Sequence, residues 1–203
     1  MKLLVSTMIF GWTGVILFLF LSFSYQKLAE SNEFALVHIV MAIMYATWLP
    51  LPFTLNHILK IEYLQIGTIF GIVYLLLLVS AMTLQAGHIT FIVKENDNRG
   101  ITDIQGEYMM FTLSNPFEAT VNIFKCIWAL FLALAFWNQN ERVMAVIMLF
   151  FSFLIFYYLA IVLNTVMVKQ MKLFSWVKQN IYFTNLETFS FFFVLLIYLT
   201  FVP

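Results

Sequence analysis

Charge is scarce in this sequence. Asp, Glu, Lys and Arg make up 10% of its 203 residues, ten acids against ten bases, for a net charge of zero. That balance offers no basic face and argues against nucleic acid as a partner. Cysteine is scarcer still. Cys126 stands alone, so no intrachain disulfide can form, and there is neither zinc-type Cys/His spacing nor Cys-x-x-Cys-His for covalent haem. Only seven glycines are present and no internal repeat is visible, which weakens the case for an inverted-repeat transporter built on broken helices. Gly-x-Ser-x-Gly, His-Glu-x-x-His, Asp-rich phosphate motifs and glycine-rich phosphate loops are all missing, so nucleophilic catalysis lacks its usual marks.

What fills the chain is apolar: 63% of residues, with a mean hydropathy of +0.95. A soluble domain has too little polar surface to cover that much apolar material, so the solvent must be lipid. Crossing a hydrocarbon core takes about 20 mostly apolar residues. Runs at 3–25, 34–57, 63–93, 117–137, 143–168 and 184–202 qualify, and they are continuous rather than alternating, which means helices. The expected fold is all-α: one polytopic integral membrane domain, a bundle of six transmembrane helices. The first run is too long for a signal-peptide core and no small-x-small site closes it, so it reads as a retained span. Pro50 and Pro52 should kink or end the second span near Leu49. Gly67 and Gly71 form a GxxxG pair, and Ala129 and Ala133 its small-residue analogue, both suited to close helix approach.

Positive charge sets orientation. Lys27, Lys94, Arg99, Lys169, Lys172 and Lys178 lie in loops one, three and five, against Lys2, Lys60 and Arg142 on the other side. Loops 26–33, 94–116 and 169–183 are therefore expected in the cytoplasm, with the chain in the plasma membrane. The stretch 169–181 reads either as a short amphipathic segment on an anionic leaflet or as an ordinary basic loop. Residues 94–100 read as a solvated turn, and 101–113 as a brief interfacial helix.

Polar groups within spans are the default functional candidates. Here they are His38, Gln85, His88, Glu118, Asn122, Lys125, Asn164 and Glu187. Since spans alternate in direction, all eight fall in the half of the membrane facing loops one, three and five. Glu118 follows Asn115-Pro116 in a helix-start pattern, and Thr184-Asn185-Leu186-Glu187 is a capping box, so both acids read first as caps. Lys125 either snorkels back to the interface or turns inward to an acid. His38 and His88 sit at matching depth on adjacent antiparallel spans, where two imidazoles could hold a b-type haem or a metal ion. His57 reads as solvated. Three functions fit these residues. One is a non-catalytic carrier or accessory subunit, with the bilayer and a membrane protein as partners. A second is a haem- or metal-binding redox protein using His38 and His88. The third is a membrane-embedded enzyme acting on lipid or isoprenoid substrates.

Overall fold

The computed structural model describes residues 2–95, 102–168 and 177–201. Of the turn expected at 94–100, Lys94 and Glu95 are instead helical and the rest lies outside those residues. Of the basic stretch 169–181, residues 169–176 lie outside them, 177–180 are irregular and Ile181 opens the last helix. Everything regular among the described residues is helical: α1 (Lys2–Glu30), α2 (Phe34–Thr47), α3 (Pro50–Leu59), α4 (Leu64–Glu95), α5 (Thr102–Met109), α6 (Asn115–Asn138), α7 (Arg142–Phe153), α8 (Ile155–Val166) and α9 (Ile181–Phe201), with a π-turn at Met110–Ser114. Among the described residues, helices long and apolar enough to cross a membrane occur as six segments: Lys2–Glu30, Phe34–Leu59, Leu64–Lys94, Gly106–Asn138, Arg142–Val166 and Ile181–Phe201. The protein is an all-α, multi-pass membrane bundle of six spans.

Short links between antiparallel spans need a residue with positive φ to turn the chain. With glycine scarce, Asn32, Lys60 and Asn140 take that role, at φ of 58°, 51° and 62°. Asparagine tolerates this region; lysine there is a genuine departure from preference.

Two spans are interrupted. Trp48 and Leu49 separate α2 from α3, as the following prolines require, since neither Pro50 nor Pro52 can donate to the ladder. The second interruption, at Leu154, has no proline or glycine to announce it. There the N–H of Leu154 bonds to Phe151 O, three residues back. The Ser152 hydroxyl donates to Leu149 O at 2.7 Å, a back-bond that bends helices.

The fourth span corrects the sequence reading most. It does not start at residue 117: α5, the π-turn and α6 run on from one another. Pro116 lacks an N–H, and the ladder widens just before it, with the Asn115 N–H reaching Met110 O, five residues back. Asn115 is itself helical (φ −55°, ψ −60°), so it is not an N-cap. The expected interfacial helix at 101–113 exists in its described part, but as the leading end of the span.

Packing follows the small residues. A Cβ on Gly67 would lie 2.5 Å from Phe131 Cβ, and one on Gly71 2.6 Å from Trp128 Cδ2. The glycine pair of α4 therefore forms the seat for two large side chains of α6. On α1, Gly14 gives room to Trp48 and Gly11 to Leu196. At mid-bundle the rings of Trp48 and Phe192 stack at 4.1 Å, with Tyr74 and Trp128 each 6.2 Å from Phe192. Phe191 closes the layer, 5.2 Å from Trp128. All five are fully buried.

Candidate functional site: a charge pair inside the bundle

Lys125 does not snorkel. Its side chain is buried at 0% exposure and donates to Glu187 of α9 and, at 3.0 Å, to Thr188 Oγ1. Glu187 Oε2 also accepts from the hydroxyl of Tyr158 on α8 at 3.0 Å. The ammonium lies 5.6 Å from the centre of the Tyr74 ring and 5.5 Å from that of Tyr158, within the roughly 6 Å over which a ring attracts a cation. Four helices thus converge on one ion pair: α6 gives the base, α9 the acid and a hydroxyl, α4 and α8 the rings. An ammonium removed from water needs this many partners, because desolvation otherwise outweighs a single contact.

This arrangement overturns the capping role for Glu187. The N-terminus of α9 is held by Asn180, whose Oδ1 accepts from the Phe183 N–H at 3.1 Å. Thr184 turns back to Asn180 O at 3.1 Å, so the Thr184–Glu187 box lies inside the helix and caps nothing. Glu118 is no cap either. Its Oε1 accepts from Gln85 Nε2 at 2.9 Å, and the same amide donates to Leu113 O at 2.9 Å. Gln85 therefore joins α4 to the widened ladder ahead of Pro116. Asn122 Nδ2 donates to Glu118 O at 2.9 Å within α6. Gln85→Leu would strip both acceptors of their donor, and we expect it to cost about 1–3 kcal/mol, read as a lower unfolding midpoint in detergent.

The eight candidates thus divide. Lys125 and Glu187 are brought together; Gln85 and Glu118 form a second contact, with Asn122 on the same α6 stripe. His38 stands apart, its Nδ1–H donating to Phe34 O at 2.7 Å in its own helix. His88 Nε2 is buried with no hydrogen-bond partner among the described residues. Asn164 sits at the end of α8, donating to Val177 O at 3.4 Å. His57 is exposed, in line with its solvated reading. Ser80 and Thr83, upstream of His88, donate to Leu76 O and Val79 O of their own helix, in no nucleophile arrangement.

Sequence reasoning missed Tyr74, Tyr158 and Thr188. A signal was present for the tyrosines. Tyrosine in a span belongs near the headgroups, and one deep in an apolar run must spend its ring or its hydroxyl on an interior contact. Four polar atoms near the pair are buried without a hydrogen bond among the described residues: Glu187 Oε1, Tyr74 OH, Trp128 Nε1 and Asn122 Oδ1. Buried polar atoms in this state are the usual seats of internal water or of a ligand. Comparison of the chain with models of protein families, with curated proteins and with solved structures finds no match in any of the three.

Proposed function

We propose that this protein is a non-catalytic membrane component, a small carrier or an embedded accessory subunit, whose polar half-interior is the binding site. The observation that carries the reading is how the intramembrane charges are engaged. Lys125 is held by Glu187 and Thr188, and Glu118 by Gln85, so these groups hold helices together rather than standing ready to move protons. The unpartnered atoms beside them are what a ligand or a partner helix would meet on entering. On the positive-inside rule that half faces the cytoplasm, and we assign the protein to the plasma membrane.

Native mass spectrometry of protein extracted in mild detergent tests this. The expected result is a stoichiometric companion, small molecule or polypeptide, that is lost when Lys125→Met and Glu187→Leu are combined. Turnover of a phospholipid or isoprenoid by the purified protein, abolished by His88→Ala with the fold intact, would overturn it in favour of an enzyme.

A second reading has one observation in its favour. Among the described residues His38 engages Nδ1 and leaves Nε2 open, and His88 Nε2 is unpartnered, so each imidazole has a nitrogen to offer a haem iron. Among the described residues no group of three or more His, Cys, Asp or Glu is placed to hold a bare metal ion. A reduced-haem α-band lost in both His38→Ala and His88→Ala would establish this reading; a colourless protein would end it.

A further inference from the structure

Where α8 ends and the chain enters α9, a cavity of about 250 Å³ opens. Asn115, Asn164, Thr165, Lys178 and Gln179 supply its polar wall. It lies at the ends of the fifth and sixth spans, against Asn115 at the head of α6. The cavity is independent of the Lys125–Glu187 pair, and an inference from it stands without the reading given above.

Its chemistry is lopsided. Asn164 uses its Nδ2 on Val177 O, which fixes the amide orientation, because turning it over would set oxygen against oxygen. Among the described residues its Oδ1 is buried without a partner, and so is Gln179 Oε1. The Thr165 hydroxyl donates its proton to Ile161 O at 2.8 Å, leaving only lone pairs to offer. Three side chains of the wall therefore present acceptors, and an occupant must bring donors. The wall is also anchored: Tyr157 OH donates to Lys178 O at 3.3 Å and accepts from the Asn180 N–H at 3.3 Å. Beside the acceptors stands Lys178, exposed at the rim.

We propose that this cavity binds the headgroup of a phospholipid bearing a primary ammonium, of the phosphatidylethanolamine type. The ammonium donates to Asn164 Oδ1 and Gln179 Oε1, and the phosphodiester meets Lys178. The volume lies below the roughly 300–1,000 Å³ of pockets for drug-sized molecules, which suits a headgroup whose acyl chains stay in the bilayer. Choline carries the same phosphate but no N–H donor, so it leaves both carbonyl oxygens unpaired.

That difference supplies the test. The full chain is placed in nanodiscs containing equal phosphatidylethanolamine and phosphatidylcholine, and retained lipid is read by native mass spectrometry. The expected preference for the ethanolamine lipid is about tenfold, the worth of one hydrogen bond to a charged group. Gln179→Leu, at a half-buried position, should remove most of it without disturbing the fold; Asn164→Leu should act likewise, with its unfolding midpoint checked alongside. Equal retention of the two lipids overturns the proposal, since water alone then satisfies the oxygens. So does an unchanged preference in both variants. Soluble phosphoethanolamine added to phosphatidylcholine discs separates the sources. Saturable stabilisation by it, with no preference among lipids, would assign the cavity to a free phosphoamine and overturn the lipid.

Discussion

Replacing Lys125 by methionine is expected to destabilise the protein by about 3–5 kcal/mol, the cost of leaving a buried partner charge uncompensated. Glu187 is 6% exposed and takes its charge-balancing contact from Lys125; without it, among the described residues the carboxylate keeps only the Tyr158 hydroxyl. Adding Glu187→Leu to Lys125→Met removes both charges, and most of the loss should return, because well-packed apolar residues commonly replace a buried ion pair at no net cost. Chemical unfolding in detergent of the two single variants and the double variant reads the coupling directly. If the double variant falls as far as the sum of the singles, packing and not charge is what Lys125 supplies, and the pair has been misread.

A loss of similar size, about 3–5 kcal/mol, is expected for Trp48→Ala, the range for truncating a buried large aromatic. Trp48 fills the break between α2 and α3. Its indole stacks on Phe192 at 4.1 Å, and its Nε1–H donates to Gly11 O at 3.1 Å. It thus ties three spans together where one of them has lost its own ladder. Trp48→Phe keeps a ring on Phe192 but gives up the hydrogen bond, worth about 0.5–1.5 kcal/mol, and part of the indole's packing, so its cost should lie between that value and the cost of Trp48→Ala. Thermal unfolding of the two variants decides between them. Equal losses would mean that the hydrogen bond, and not the stack, holds α1 to the break.

Much of this architecture was legible in the residues. Hydropathy located all six spans, since continuous apolar runs in lipid leave the backbone no alternative to helix. Pro50 and Pro52 marked the second span's interruption because proline's missing donor is a local property. Gly67 and Gly71 marked a close approach for the same reason. Where the reading failed, local pattern met tertiary context. Asn115-Pro116-Phe117-Glu118 fits a helix start, yet proline is equally accommodated by a widened π-turn once Gln85 from another helix serves the Leu113 carbonyl. Thr184–Glu187 fits a capping box, but Asn180 lies one turn earlier and takes the cap.

The direction of Lys125 is the clearest case of what a linear sequence leaves open. A lysine near two turns' depth can reach the interface or pair inward, and the two outcomes differ by the placement of Glu187, Tyr158 and Thr188 on other helices. None of those positions is encoded near residue 125. The break at Leu154 had no breaker residue to reveal it.

The neutrality of the Lys125–Glu187 pair has an electrical consequence. Carrying one full charge across the bilayer exchanges roughly 2.3 kcal/mol with each 100 mV of membrane voltage. Two opposite charges bonded to each other present the field with only a short dipole. Voltage therefore does almost no work on this centre while the pair is intact. The membrane potential gains purchase only when something separates the lysine from the glutamate.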